Sequence, residues 1–117
     1  MVSNDACLFC RIANGQIPAT KVLEDDEVIA FHDINPQAPT HLLVIPRRHI
    51  AMLNDLTAAD AATIGTTIVR ATELARQLHL DHEGYRLVIN NGEAAGQTVF
   101  HIHVHVLGGR ALGWPPG

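Results

Sequence analysis

Apolar residues in the middle of the chain recur at steps of three and four, which is the spacing of one stripe on a helix. Thr57 is followed three residues later by Asp60, an arrangement that resembles a capping box and predicts that a helix begins just after it. At about 1.5 Å per residue, the helix is about 30 Å long. The residues of the predicted stripe are Ala61, Ile64, Ile68, Ala71, Ala75 and Leu78.

Shorter apolar runs on both sides of this helix predict strands. They lie at 21–24, 28–33, 42–45, 85–90 and 99–107. Three acidic residues separate the first two runs, as in a hairpin, and Pro46 directly follows the third, where it would end a strand. The loop between the last two runs contains Asn91-Gly92 and Gly96. Strands with one long helix to cover a sheet face predict an α+β protein with a mainly antiparallel sheet.

A short helix is predicted near the N-terminus, with two cysteines at its start. The apolar residues of 8–12 share a helical face, and Gly15 and Pro18 follow as a stop. Cys7 and Cys10 are the only cysteines, and their spacing is open to three interpretations, namely half of a zinc site, a redox pair or coincidence. A thioredoxin-like pair would have to follow a strand, and the segment before Cys7 is too short for one. Zinc would need two more nitrogen or sulfur ligands from elsewhere in the chain.

Composition and charge narrow the classes of partner. The chain has 117 residues, 47% of them hydrophobic and 17% charged, which predicts a single folded domain spanning 1–117. Its formal net charge of -4 leaves no broad basic face, so nucleic acid and anionic membranes are disfavoured as partners. With neither a secretory signal pattern nor an 18-residue apolar run, we expect a cytoplasmic protein.

Three of the eight histidines fall within five positions of one predicted strand. His101, His103 and His105 would share one face of it, and the apolar residues between them would share the other. Same-face positions are about 6.5 to 7 Å apart, so all three rings would be able to act on one phosphate-sized group. The alternatives are a solvent-facing polar strip and a set of metal ligands without catalysis.

This alternation of histidine and apolar residues resembles the motif of the histidine triad (HIT) family of nucleotide hydrolases and transferases. The similarity extends to 30–34, 38–46, 96–100, 107–110 and the Trp-Pro-Pro-Gly end, which resemble the Hint-like purine nucleoside phosphoramidase branch. His105 is intact, whereas glutamine occupies that place in the uridylyltransferase branch. The resemblance implies the HIT fold, a five-stranded mainly antiparallel sheet with one long helix and a short N-terminal helix.

The resemblance implies a role for each polar residue near the triad. His103 would attack the α-phosphorus and form a nucleotidyl-histidine intermediate, and no metal is implied in that step. His105 would hydrogen-bond a phosphate oxygen, and His41 would orient the nucleophile, although a hydrogen-bonded core histidine is the alternative for His41. Thr98 stands where the family often has serine, and its hydroxyl would contact the leaving group or pass a proton.

The resemblance also implies a nucleotide site. Asp33 would accept hydrogen bonds from the ribose hydroxyls, and Asn90 and Gly96 would lie near the ribose or phosphate. By composition alone the apolar residues of this set belong to a core, and Asn91-Gly92 alone predicts a hairpin turn. The residues implied to form the slot for a purine base and its surroundings are Phe9, Phe31, His32 and Ile34, together with Leu8, Ile12 and Leu43.

Some members of the family complete the cysteine pair with two histidines. By this resemblance Cys7, Cys10, His49 and His101 would form a structural zinc site that supports catalysis without performing it. The alternative is a pair of unmetallated thiols with His101 hydrogen-bonded near His49. The resemblance further implies a homodimer in which two five-stranded sheets join and the C-terminal tail approaches the partner's active site.

The function expected from these residues is hydrolysis of the P–N bond of purine nucleoside 5'-phosphoramidates, with aminoacyl adenylates as further substrates and a nucleoside monophosphate such as AMP as product. A dinucleoside polyphosphate hydrolase is the alternative within the family. A nucleotide-binding regulatory or scaffold protein is the alternative outside enzymes. A zinc-dependent structural module would leave His103 and His105 unexplained.

Overall fold

A computed structural model describes residues 4–117, in which five strands form one sheet. The N-terminal segment used for the localisation prediction includes residues 1–3, which lie outside the described residues. The order across the sheet is β1-β2-β3-β5-β4, and every neighbouring pair is antiparallel. The strands are β1 (Lys21–Glu24), β2 (Val28–His32), β3 (Thr40–Pro46), β4 (Tyr85–Val88) and β5 (Val104–Gly108). The predicted α+β class and antiparallel sheet are confirmed.

Two helices accompany the sheet, α1 (Leu8–Ala13) and α2 (Ala61–Gln77), as the sequence predicts. A 3-10 turn, Ala58–Asp60, precedes α2, and within it the Asp60 carboxylate accepts the main-chain N–H of Thr57 at 3.0 Å. The acidic residue three positions after Thr57 therefore marks the entry to α2. Among the described residues, neither helix is both long and apolar enough to cross a membrane.

Both faces of the central strands are buried. Val28 and Ala30 pack in the cluster beneath α2, whereas Ile29 and Phe31 pack in the cluster that contains α1. Strands covered on both sides read as continuous apolar runs, which is the pattern of β2 and β3. The sheet therefore has two covered faces. We call the face packed against α2 the α2 face and the face packed against α1 the α1 face.

The buried stripe of α2 differs from the predicted one. Ala61 and Leu78 are exposed, while Thr67 and Leu74 are buried. Thr67 tolerates burial because its hydroxyl donates to the main-chain oxygen of Thr63 at 2.8 Å, so its polar group is satisfied within the helix. The prediction is right for Ala71 and Ala75, which are buried, and the observed stripe is wider because it also includes Thr67 and Leu74.

The last predicted strand, 99–107, is also longer than the one observed. β5 begins only at Val104, so His101 and His103 precede it in irregular backbone. The reason is that Ile102 donates its main-chain N–H to the Ile50 oxygen at 2.7 Å, a bond to a loop rather than to a strand. The triad therefore does not lie on one regular strand face.

Candidate active site and metal site

A cavity of about 690 Å³ opens on the α1 face of the sheet. Its volume lies in the range of small-molecule sites, and its lining is mainly apolar with a few polar groups at one side. The polar residues are Thr20, His32, Asp33, Thr98, His103 and His105. The apolar residues are Leu8, Phe9, Ile12, Ile17, Pro18, Ala19, Phe31, Ile34, Leu43 and Val99.

Most of the residues expected to contact a nucleotide line this cavity. Phe9 packs edge-to-face against Phe31 and His103, with ring centroids 5.4 and 5.0 Å apart, so one aromatic ring joins the apolar slot to the histidines. Asn90 and Gly96 lie beside each other, but neither is among the residues that line the cavity. Their assignment to a ligand stays a prediction.

The segment after α1 contributes a wall that the sequence interpretation did not include. Ile17, Pro18, Ala19 and Thr20 all line the cavity. These residues follow Gly15, after the first helix, and show no periodic pattern of apolar positions. The sequence therefore does not distinguish them from an ordinary connecting loop. Only their packing against the α1 face of the sheet reveals this contribution.

His103 is held in a single tautomer by the main chain. Its Nδ1 lies 2.7 Å from the main-chain oxygen of His101, so Nδ1 carries the proton and donates it. The ring is only 6% exposed, and burial lowers the pKa of His103 although the bond to His101 opposes the shift. Nε2 is therefore an unprotonated lone pair on a neutral imidazole, which is the form that attacks phosphorus.

His41 and His105 form a second histidine pair with a fixed direction. The main-chain N–H of Gln37 donates to His41 Nδ1 at 3.0 Å, so the neutral His41 carries its proton on Nε2. That Nε2 lies 2.9 Å from His105 Nδ1, which must accept. Burial lowers the pKa of His41, and burial together with the two neighbouring histidines lowers the pKa of His105 to about 4. Both rings are therefore neutral at neutral pH.

The same chain of bonds places the proton of His105 on Nε2. Within the described residues this atom is buried and has no hydrogen-bond partner. Because His105 lines the cavity beside His103, with ring centroids 5.0 Å apart, the cavity holds a lone pair and an N–H donor side by side. An oxyanion bound between them would satisfy the buried donor.

Asp33 lies at the edge of this arrangement. Its Oδ2 is 3.4 Å from His41 Nε2, and its Oδ1 accepts the main-chain N–H of Asn35 at 2.8 Å. The carboxylate is also part of the cavity lining. Asp33 therefore presents acceptor oxygens to the cavity, close to the histidine pair. Such oxygens are able to accept hydrogen bonds from the hydroxyl groups of a ligand.

His101 does not face the cavity, contrary to the prediction that all three rings reach one phosphate-sized group. It is fully buried, and its Nε2 donates to the Pro46 main-chain oxygen at 2.7 Å. Nδ1 is therefore unprotonated and faces two thiols, with Cys7 Sγ and Cys10 Sγ each 3.5 Å away. The irregular backbone before β5 turns this ring to the cysteines, so two of the three triad rings face the cavity.

Cys7, Cys10, His49 and His101 bring one ligand atom each to within 4.8 Å of one another. His49 Nδ1 lies 3.3 Å from both Cys10 Sγ and His101 Nδ1. A tetrahedral ion with bonds of about 2.0 Å to nitrogen and 2.3 Å to sulfur separates its ligands by about 3.3 to 3.8 Å. These residues therefore lie close enough to hold a metal.

The protonation of these groups is consistent with metal binding. Burial, and then the neighbouring Cys7, raise the pKa of the Cys10 thiol to about 11, so a metal would replace a proton there. Burial lowers the pKa of His101 to about 4, which keeps its ring neutral. The ligand nitrogen of His101 is thus available at neutral pH.

A second group of possible ligands, Asp33, His41 and His105, is equally compact. Its donor set fits a metal less well. The Gln37 N–H occupies Nδ1 of His41 and leaves the proton on Nε2, the atom that would have to bind the ion. These three side chains are therefore better described as a hydrogen-bonded group than as a metal site.

Comparison with known proteins identifies the family. A sequence model of the HIT domain matches residues 14–112. The chain belongs to the HIT family. It is 48% identical over 110 residues, covering 94% of this chain and 96% of the other, to an uncharacterised HIT-like protein of Synechocystis.

Solved HIT structures have the same fold. A HIT family hydrolase from Legionella pneumophila superposes with a TM-score of 0.94 at 54% identity, covering 95% of this chain and 99% of the other. A histidine triad protein from Clostridium difficile has a TM-score of 0.92 at 41% identity, covering 96% and 97%. These relatives confirm the predicted HIT fold and support a hydrolase, and the cysteine pair beside two histidines is compatible with the zinc-binding variant of the family.

Proposed function

We propose that this HIT protein hydrolyses the P–N bond of purine nucleoside 5'-phosphoramidates. The observation that carries the proposal is the pair of fixed tautomers in the cavity, the Nε2 lone pair of His103 and the Nε2–H of His105. A phosphoramidate needs a nucleophile and a donor to its non-bridging oxygens, and these are the two groups that the cavity supplies. The Thr98 hydroxyl lines the same cavity and is assigned to the leaving amine.

The reaction has two steps. In the first, His103 Nε2 forms a bond to phosphorus while the P–N bond to the leaving group breaks. The leaving nitrogen takes a proton from solvent, passed on by the Thr98 hydroxyl, and departs as an amine. In the second, water adds its oxygen to phosphorus, the bond to Nε2 breaks, and a proton is released with the nucleoside monophosphate. His105 donates to a phosphate oxygen in both steps, since negative charge builds up there each time.

Binding of the nucleotide is assigned to the remaining lining. The apolar part of the cavity, lined by Phe9 and Phe31, would hold the base, and Asp33 would accept hydrogen bonds from the ribose hydroxyls. The segment 17–20, which is apolar except for Thr20, lines the same space. Aminoacyl adenylates, which carry the same nucleoside and a good leaving group, are a second substrate class of this proposal.

We assign the metal held by Cys7, Cys10, His49 and His101 as a structural zinc ion. A closed site of two thiolates and two imidazoles has no open position for substrate, so the ion would supply folding energy and rigidity rather than chemistry. Two of its ligands flank the start of α1 and a third is His101, two residues before the nucleophile. The ion would hold α1 against the irregular segment before β5 that contains His101 and His103.

We further propose a homodimer. Two features support it. β4 lies at the edge of the sheet with only β5 beside it, and Arg86 on β4 donates to the Gly113 oxygen at 2.8 Å, which places the tail along that edge. Trp114 lies 5.9 Å from the Arg86 guanidinium and is 82% exposed, as expected for a side chain that contacts a partner. The molar mass in solution tests the dimer, and a monomeric mass at micromolar concentration would contradict it.

The experiment that tests the function is release of AMP from adenosine 5'-phosphoramidate and from a diadenosine polyphosphate, by the wild type and by His103→Ala. His82→Ala is the matched control, because it removes an exposed histidine that is not among the residues lining the cavity. We expect turnover of the phosphoramidate that disappears in His103→Ala and is unchanged in His82→Ala, with AMP binding preserved in both. Preference for the dinucleotide would place the protein in the sister branch, and binding of AMP without turnover would indicate a regulatory module.

A further inference from the structure

The main-chain amide that fixes the tautomer of His41 is itself held in place by an arginine. Gln37 donates its N–H to His41 Nδ1 at 3.0 Å, and its main-chain oxygen accepts Nη2 of Arg110 at 2.9 Å. A second nitrogen of the same guanidinium donates to the Ala111 oxygen at 2.9 Å. A side chain more than seventy residues away along the chain thus reaches the loop that controls the histidine pair.

The backbone around Arg110 is arranged for this contact. Gly109, directly after β5, has φ +91°, a conformation that favours glycine. It also lies close to Pro39, because a Cβ built on Gly109 would be 2.9 Å from Pro39 Cβ. The segment after β5 is therefore packed directly against the loop 36–39, and Arg110 extends over it to Gln37.

We propose that Arg110 is a positioning residue for the hydrolysis, acting through the main chain of Gln37 on the ring of His41. The proposal rests on the proposed function and adds to it a residue outside the cavity. Arg110 itself is exposed and is not among the residues that line the cavity, so its effect on the reaction would pass through the loop.

Reversal of the tautomers is the reason why a distant contact matters. If the Gln37 N–H moves away, Asp33 Oδ2, 3.4 Å from Nε2, still favours a proton there, but part of the population carries the His41 proton on Nδ1 and presents a lone pair from Nε2. His105 Nδ1 must then donate to that lone pair, since the two atoms are 2.9 Å apart. The proton of His105 leaves Nε2, and the group facing the phosphate becomes a lone pair, which repels an oxyanion instead of binding it.

The test measures tautomers and turnover in the same set of variants of the full-length, metal-loaded protein. Long-range 1H–15N spectra report which ring nitrogen of His41 and His105 carries the proton, and steady-state kinetics with adenosine 5'-phosphoramidate give kcat and KM. Arg110→Ala removes the hydrogen bond to the Gln37 oxygen, and Arg110→Lys keeps one donor. Arg76→Ala, an exposed arginine in the last turn of α2, is the matched control.

A second pair of variants acts on the amide itself. Gln37→Pro deletes the N–H, whereas Gln37→Ala changes the side chain and keeps the N–H. In Arg110→Ala we expect a mixture of His41 tautomers and kcat reduced about tenfold with KM within about twofold, as for loss of a contact made in the transition state. Gln37→Pro should give a larger loss, Arg110→Lys partial recovery and Arg76→Ala the wild-type values. Gln37→Ala, which keeps the N–H but loses the side-chain bond to the Asn35 oxygen, should lose less than Gln37→Pro.

Two results would overturn the proposal. One is wild-type protein with the His41 proton on Nδ1. The other is Arg110→Ala with unchanged tautomers, whether or not kcat falls, because any loss would then arise by another route. The spectra need no turnover, so an inactive wild type would refute the proposed hydrolysis while the tautomers of Arg110→Ala would still decide whether Arg110 positions His41.

Discussion

The main-chain oxygen of His101 accepts the Nδ1–H of His103 at 2.7 Å, while the ring of the same His101 faces the two cysteines. One residue therefore belongs to both sites. Its side chain is a candidate metal ligand and its backbone sets the tautomer of the proposed nucleophile. Any movement of His101 that follows loss of a metal changes the position of His103, since the two are joined by a short bond.

Removal of the metal should accordingly lower the rate more than it weakens nucleotide binding. We expect chelated protein, or the Cys10→Ser variant, to lose about tenfold or more in kcat with AMP affinity changed little, because outer groups that orient a reacting side chain have effects of this size. Metal content by elemental analysis, AMP titration and turnover on the same sample check this. Fewer than one zinc per chain in protein purified without chelator would contradict the zinc assignment.

Substitution of His105 should remove stabilisation of the transition state and leave ground-state binding nearly intact. The buried Nε2–H has no other partner in the described residues, so His105→Ala deletes the donor for the phosphate oxygen. Loss of one such donor costs about 100- to 1000-fold in kcat. Kinetics on the phosphoramidate check the value, and a change confined to KM would argue that His105 only binds the substrate.

The stability of the metal-free protein should fall as the pH falls from about 6.5 to 4. The pKa of His101 and of His105 is about 4 in the folded state, against an ordinary 6.5, mainly because of burial. In that interval the unfolded chain binds more protons than the folded one, so protons favour unfolding, and each pKa unit corresponds to about 1.4 kcal/mol per group. Stability from these groups is complete above pH 6.5.

Urea unfolding at several pH values between 7 and 4.5 measures this effect. His105→Gln should reduce the dependence on pH, because one of the buried histidines whose pKa is lowered is gone. A free energy of unfolding that is constant or increases over this interval would contradict the burial of two neutral imidazoles.

Loss of the Thr98 hydroxyl should slow the reaction, because this group is assigned to the leaving amine. Thr98→Val keeps the branched shape without the hydroxyl, and we expect kcat/KM for the phosphoramidate to fall about tenfold, the size of one lost hydrogen bond. Thr98→Ser keeps the hydroxyl on a side chain with a freer χ1 and should remain close to the wild type. Equal activity of the three proteins would show that the hydroxyl does not touch the leaving amine.

The parts of the fold that the sequence predicted are those set by side-chain pattern. The continuous apolar runs gave β2 to within one residue and the centre of β3, which extends from Thr40 to Pro46, and the stepped pattern gave α2. The buried face of α2 is wider than predicted, because a hydroxyl bonded within the helix lets Thr67 be buried beside Ala71 and Ala75. Strand alternation placed His101 on the cavity face, whereas the resemblance placed it with the cysteines, where it lies. Alternation fails there because Ile102 bonds to a loop at Ile50, a non-local contact between main-chain atoms.

In the candidate site, too, side-chain groups could be predicted from the sequence and main-chain groups could not. The residues Cys7, Cys10, His49 and His101 could be proposed as one group by resemblance, and the structure brings their ligand atoms together. The groups that fix the tautomers, the Gln37 N–H and the Pro46 and His101 oxygens, belong to the main chain. Every non-proline residue has these atoms, so no residue type reveals them in advance.

This division has a consequence for anyone who wishes to transplant the chemistry. A designer who copies only the histidines onto another sheet would obtain rings with mixed tautomers, since the amide at 37 and the oxygens at 46 and 101 would not come with them. The portable unit consists of the histidines and the three backbone segments that surround them. Within those segments the path of the backbone is what must be kept, and the side chain of Gln37 contributes to that path through its bond to the Asn35 oxygen.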